Sequence, residues 1–524
     1  MRKIYFLMAI LFSSCLNAQI IELKTNDKKL NESFNWAVEK ALSFKMTGKN
    51  VEANKGENGP TIGYKESINC IPSYWAGYTN RTAFYSRDFS RQSLAAHLLG
   101  MDEENFRMFE AFAKHCTEDK KWYTWWALNF DGSVYTLDAP NPPGDSLYTG
   151  YPSNFINPSG ERFVREIPAN FNLIYNSYKC YLWTGDKRYI HNTSLKKMRN
   201  KSMNDFIKLH DSNNNGIPEG KGDIWIGSST YNERELHPIE SGDAVSLMYA
   251  ARLAYAGFLE AEGNKKNANE EYLKAQHLYE YFNRIWSRGV NDSMFVSAVL
   301  QDGQTFDGFS KESTFLMPIY GITEPGVRTD RLLAMIKEQI ADGYDSNNIG
   351  PGAMRNIEAY TYLPQLFFAY NRADDAYKYM NYIIDRLDKP HEVSSQGTNG
   401  DYPEVSFTMI THIVEGLMGI SANFPQSKLY TVPCLPQGVT YSTINNLRIG
   451  ENLFSVSHTK STSELKYMKG EGSFMWEAGF YGDYLYLFVN GKQMKTSKKY
   501  VNGNVVSYVQ LLIEKGENIK VQID

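Results

Sequence analysis

A mainly α fold, an (α/α)6 six-hairpin barrel followed by a C-terminal β-sandwich, is what this sequence predicts, on three observations. From about residue 29 to 421, apolar residues recur at three- and four-residue spacing, in segment after segment separated by loops rich in Gly, Pro, Asn and Asp. The links between those segments alternate short and long. After Phe424-Pro425 the pattern turns to alternating β-branched and aromatic residues, the period of strands.

The spacing predicts helices over 29–46, 86–99, 102–118, 166–184, 187–210, 239–262, 266–287, 312–321, 328–342, 356–370, 372–388 and 403–420. Links as short as Gly100-Met101 and Gly263-Asn264 make their helices antiparallel neighbours. The long connections, 47–85, 119–165, 211–238, 288–311, 343–355 and 389–402, then all emerge at one end. Closing the hairpins into a ring buries the even-numbered helices and aims their N-termini at that end. A solenoid of stacked helix pairs would carry a repeat of fixed period, and none is present. Beyond residue 425, Asn490-Gly491 and Asn502-Gly503 mark hairpin turns of a sandwich over 426–524, whose plainest role is to brace the barrel.

The chain begins MRKIYFLMAILFSSCLNAQ: Arg2 and Lys3, an apolar run from Ile4 to Phe12, then small or polar residues up to Ala18. This is the pattern of an export signal over 1–18, so the remainder, with its barrel domain over 19–425, is expected in the periplasm or outside the cell. Cys15 admits a second reading as a lipid-modified residue. Cys70, Cys116, Cys180 and Cys434 are too scattered for a metal knuckle or a disulfide scaffold and read as free thiols. With 524 residues, 42% of them hydrophobic, the chain can bury a large core. A net charge of −4 leaves no basic footprint for nucleic acid, and no later segment is long and apolar enough to span a bilayer. The 14% aromatic content suits flat sugar faces as well as a large core.

Charge gathers where the first inner helix begins, in FYSRDFSRQSLAAHLLG. Asp88 there is explained by the free N–H groups and the dipole of a helix start. Arg87 and Arg91 are not, because a cation is disfavoured at that end. Arg87 beside Asp88 offers a donor fork and an acceptor to vicinal hydroxyls, with Arg91 one turn on. His97 and His412 read as satisfied histidines on helix faces.

Ser-Arg-Asp-Phe opening the second helix, followed by AAHLLG, resembles the Arg-Asp element of six-hairpin (α/α)6-barrel carbohydrate-active enzymes, the glucoamylase-like glycosidases. The resemblance implies that Arg87 and Asp88 hold the sugar at the non-reducing end. The loop DSNNNGIPEGKGDIWIGSSTYNERELHPI also resembles loops that precede the acid-bearing inner helix of that group. Asp211, Asn213 and Asn215 in it have the alternation of a calcium loop, although Gly222 stands where that motif wants a bidentate Glu, and a turn held by Asn and Asp side chains explains them equally. No other cofactor is called for.

Glycoside hydrolysis needs two carboxyl groups astride the bond, one to protonate the leaving oxygen and one to activate water or attack carbon. The family topology places the acid after the fifth helix, where Asp223, Glu233, Glu235 and Glu240 stand, and the base near the twelfth, where Glu392, Asp401 and Glu404 stand. Glu240 and Glu404 also suit plain helix starts. Glu235 is the preferred acid, because Trp225 and Tyr231 in its loop would exclude water and raise its pKa, with Glu233 and Asp223 in reserve. Glu404 is the preferred base, followed by Asp401. Trp125, Trp126 and Tyr231 are expected to wall the pocket, and His237, Arg355, Asn356 and Glu358 to add polar contacts.

The expected activity is an exported, inverting exo-glycoside hydrolase acting on polysaccharide-derived oligosaccharides. A uronate dehydratase or lyase on acidic, ulvan-type oligosaccharides is the alternative. There Arg81, Arg87, Arg91 and Arg355 would neutralise the carboxylate, and His237 or Tyr231 would take the proton. A barrel that binds carbohydrate without catalysis is the third reading.

Overall fold

The computed structural model describes residues 20–53, 66–79, 82–135, 164–222, 224, 226–232, 236–289, 293–340, 354 and 356–524. Local chemistry sets the helix ends. Asp27 accepts from the Leu30 N–H at 3.0 Å to open α1 (Lys28–Ser43). Then follow α2 (Ser86–Leu98), α3 (Asp102–His115) and α4 (Ile167–Thr184). Gly185 ends α4 in the left-handed region at φ 68°, where a Cβ would meet the Phe424 ring at 2.3 Å. Helix α5 runs from Thr193–Lys201 through a π-turn at Ser202–Phe206 to Ile207–His210. It is followed by α6 (Gly242–Ala261), α7 (Lys265–Tyr281), α8 (Glu312–Ile319), α9 (Val327–Gln339), α10 (Tyr362–Ala369), α11 (Ala373–Ile384) and α12 (Pro403–Thr411).

Two predicted helices are divided. The segment 187–210 breaks at Asn192, which is extended and caps α5 by accepting from the Leu195 N–H. The segment 356–370 breaks at Thr361, whose hydroxyl donates to the Glu358 carbonyl at 2.5 Å while its own carbonyl accepts from Arg91.

The packing is cyclic. Helix α2 lies on α4, α4 on α6, α6 on α8, α8 on α10, α10 on the π-helical continuation of α12 (His412–Leu417), and α12 on α2. The odd-numbered helices lie outside: α1 on α12, α3 on α2, α5 on α3, α7 on α6, α9 on α8 and α11 on α10. Burial follows this division. Helix α11 buries only Ala376, Tyr379, Met380 and Ile383, one stripe, whereas α2 buries all but two of its thirteen residues. Among the described residues, no helix is long and apolar enough to cross a membrane.

The C-terminal portion is two sheets. Seven strands pair in the order Glu22–Thr25, Tyr441–Ile449, Asn452–Thr459, Thr462–Lys469, Asn518–Gln522, Tyr486–Val489 and Lys492–Lys495; five pair in the order Ser497–Val501, Asn504–Glu514, Ser473–Tyr481, Lys428–Thr431 and Ile420–Asn423. Asn490 and Gly491 at φ 48° and 81°, and Asn502 and Gly503 at φ 46° and 80°, make the hairpin turns that the sequence predicts. The sheets face each other through rings such as Phe454 and Phe474, edge to face at 5.0 Å. Two strands of these sheets were not foreseen: Glu22–Thr25, far upstream, pairs antiparallel with Tyr441–Ile449, and Ile420–Asn423, ahead of the predicted sandwich, pairs antiparallel with Lys428–Thr431. Cys70, Cys116, Cys180 and Cys434 are free thiols.

Candidate active site

Each inner helix begins with a carboxylate: Asp88 on α2, Glu166 at the start of α4, Asp243 on α6, Glu312 on α8, Glu358 just ahead of α10, and Glu404 on α12. One carboxylate at a helix start answers the dipole. Six around one ring, most of them buried, repel one another and lose their hydration. The cost is offset by cations and hydrogen bonds that reach in from other helices.

Arg91 is the deepest of these cations. It donates to Glu404 Oε1 and, at 2.7 Å, to Thr361 Oγ1, and lies 3.4 Å from the centre of the Tyr362 ring. Thr361 Oγ1 also lies 2.8 Å from Glu404 Oε1, within hydrogen-bond distance. Burial pushes Glu404 up to about 7 despite Arg91, with the Asp88 charge adding to the rise. Asp88 accepts from the Tyr402 hydroxyl. Burial raises its pKa too, against the pull of Arg87 and Tyr402. Arg87 sits over the Tyr231 ring at 5.2 Å, with the Tyr231 carbonyl at 3.4 Å and Glu166 Oε1 at 3.9 Å. Asp243 accepts from the Tyr231 N–H at 2.7 Å and Thr230 Oγ1 at 3.0 Å, and burial pushes it up to about 6.

Behind Asp88, Tyr402 stacks on His391 with ring centres 5.8 Å apart. His391 Nδ1 accepts from the Val393 N–H, which turns its Nε2 proton to Glu358 Oε2 at 3.2 Å. Burial opposes the Glu358 charge, but the His391 bond and charge, together with hydrogen bonds from the backbone and Tyr78, outweigh it and hold this carboxyl below its ordinary range. The ring thus contains carboxyls of opposite disposition: Glu404 and Asp243 bind a proton more tightly than an ordinary carboxyl, Glu358 less tightly. Such divergence between neighbours is what acid–base chemistry requires.

Glu404 and Asp243 titrate higher when folded than when unfolded, so the folded chain holds more protons between about pH 4 and 7 and stability falls as pH rises through that window. Exchanging Glu404 for Gln is expected to flatten the fall of Tm between pH 5 and pH 8, measured by calorimetry. An unchanged slope would contradict the titration assigned to Glu404.

No protein-family model matches this sequence, and no curated protein matches it. Solved structures do match the fold. A GH78 family rhamnosidase of Bacillus sp. GL1 is 11% identical with a TM-score of 0.55, over 86% of this chain and 41% of its own. The α-L-rhamnosidase from Dictyoglumus thermophilum is 12% identical at 0.54, over 96% and 50%. That of Streptomyces avermitilis, complexed with L-rhamnose, is 10% identical at 0.52, over 96% and 42%. The chain shares the fold of these rhamnosidases. It spans half or less of the length of these three structures.

Within this fold, the predicted residues separate. Arg87, Asp88, Arg91, Glu404 and Tyr231 come together at the inner-helix N-termini. Asp401, only three residues before Glu404, is half-exposed, pairs with Lys40 at 2.7 Å and closes a capping box with Thr398. Trp125 and Trp126 are buried, the latter edge-on to Tyr85 at 4.7 Å. His237 has its carbonyl bonded to Gln301. Glu235, Glu233, Asp223 and Arg355 lie outside the described residues.

The side-chain oxygens of Asp211, Asn213 and Asn215 accept backbone N–H groups of residues 215–217, and the Asn213 and Asn215 amides donate to Glu240 Oε1. This is the arrangement of a turn closed by Asn and Asp side chains. Among the described residues, no group of three or more His, Cys, Asp or Glu is placed to hold a metal. Sequence reasoning passed over Glu166, Asp243 and Glu312. For Glu166 and Glu312 the signal was positional, since each is the first residue of a predicted inner helix; Asp243 lies four residues past the predicted start at 239, because the observed helix begins only at Gly242.

Proposed function

We propose that this protein is an exported carbohydrate-active enzyme, an exo-glycoside hydrolase with an (α/α)6 barrel, acting at the non-reducing end of oligosaccharides. One observation carries the reading: buried carboxyls with diverging proton affinities, accompanied by Arg87 and Arg91, stand at the start of every inner helix. The likeness in fold to rhamnosidases supports it, and terminal deoxyhexosides such as L-rhamnosides are the first substrates to try.

In this reading Arg87 and Asp88 grip vicinal hydroxyls of the terminal sugar. The Tyr402 hydroxyl, donating to Asp88, fixes this carboxylate. Glu404, poised near neutrality, takes the proton of the attacking water, and Glu235 from the loop before α6 protonates the leaving oxygen. Arg91 and Thr361 fix the Glu404 carboxyl in place. The elimination alternative receives less support. Burial drives the Tyr231 phenol well above its ordinary pKa, a poor state for abstracting a proton, and Arg91 is already engaged by Glu404.

The test is a screen of neutral and uronate-capped oligosaccharides, read by mass and ultraviolet absorbance. Hydrolysis adds water and releases a reducing sugar; elimination leaves an unsaturated uronate. Release of a terminal neutral sugar is the expected result. An unsaturated product, or binding without turnover across the panel, would overturn the assignment.

A further inference from the structure

The inner helices carry carboxylates at their N-termini; their C-terminal halves and the five-stranded sheet line a separate, partly open cavity of about 650 Å³. Arg91 lies at its inner end. Helices α4, α10 and α12 form its sides, and strands Ile420–Asn423, Lys428–Thr431 and Ser497–Val501 lie across the other end. This volume is within the range of small-molecule sites, roughly 300–1,000 Å³, and far beyond that of a single structural water.

Its lining is specific in chemistry. Lys179 and Glu415 pair across it at 2.7 Å, and Lys499 on the sheet side pairs with Glu477 at 2.6 Å. Both ammonium groups are thus already neutralised, so the walls call for a ligand without net charge. Tyr175 and Tyr320 stand edge to face at 5.3 Å and supply flat apolar surface with hydroxyl tips. His412 is buried, and beyond an approach to the Thr361 backbone its ring nitrogens have no hydrogen-bond partner. Burial and the Arg91 charge keep it neutral, so it brings one donor and one acceptor. Donors and acceptors interleaved with aromatic faces match a molecule that itself alternates C–H surface and hydroxyls.

We propose that this cavity, at the opposite end of the helical ring from the carboxylates, is a second site that binds a neutral mono- or disaccharide. The site does not depend on catalysis at the ring. Its only shared residue of consequence is Arg91, which lines the cavity and bonds Glu404, so an occupant there adjoins the base of the carboxylate ring.

Binding of D-glucose and L-rhamnose to the full chain, measured by calorimetry and saturation-transfer NMR, tests this. Asp88→Asn removes the mouth contacts and should leave saturable binding of at least one sugar. Thr411→Trp from the helix side and Ser421→Trp from the sheet side each fill the cavity and should weaken that binding by about tenfold or more, the scale of one lost hydrogen-bonded contact. Two variants from different elements keep the test alive if one fails to fold, as judged by circular dichroism. Binding lost in Asp88→Asn but intact in both Trp variants would overturn the proposal. So would the absence of saturable binding of either sugar to the wild type. Turnover plays no part in these readouts, so a failed hydrolase assignment and a failed second site remain distinguishable.

Discussion

Replacing Glu404 with Gln is expected to lower kcat/KM by about 10²–10⁴-fold, the ordinary contribution of a positioned general base. The amide keeps an oxygen for Arg91 and Thr361, so the fold should persist while proton acceptance is lost. The pH–rate profile separates this role from a structural one. The wild type should show an ascending limb near the pKa of Glu404, which burial pushes up to about 7, and the variant should lack it. A variant within about threefold of wild type, with the same limb, would remove Glu404 from the chemistry.

Replacing Arg91 with Met is expected to cost about 3–5 kcal/mol of stability, because it strands a buried carboxylate. The loss should be larger at pH 8 than at pH 5, where Glu404 can take a proton instead of carrying an uncompensated charge. Urea unfolding at both values measures it. Combining Arg91→Met with Glu404→Met should recover much of the loss, since both members of the pair are then apolar. A single-variant loss below about 1 kcal/mol at pH 8 would mean that the pair contributes no more than an exposed salt bridge.

Much of the ring was legible before any coordinates, since a helix start announces itself locally. Ser-Arg-Asp-Phe ahead of an apolar period and Pro403-Glu404 after Asn399-Gly400 are signals a few residues long. The same is true of the Asn-Gly hairpins. Choosing between Asp401 and Glu404 was not local. One turns to Lys40, 361 residues away, and the other to Arg91, 313 residues away. A difference of three positions at a helix start decides the outer or the inner side. Likewise, the proton affinities of Asp243 and Glu358 come from burial and from His391, which no spacing rule predicts.

Composition and periodicity determined by themselves that twelve helices would alternate in outer and inner roles, that a strand-rich portion would follow, and that charge would collect where the first and last inner helices begin. These follow from i to i+4 geometry and from turn chemistry, which act over a few bonds. Only the tertiary structure decided which carboxyls keep their protons, which cation each one meets, that the strand Glu22–Thr25 joins a sheet more than 400 residues downstream, and that a polar cavity lies behind Arg91. Those outcomes depend on desolvation and on distances between groups remote in sequence, and such quantities exist only after the chain has closed on itself.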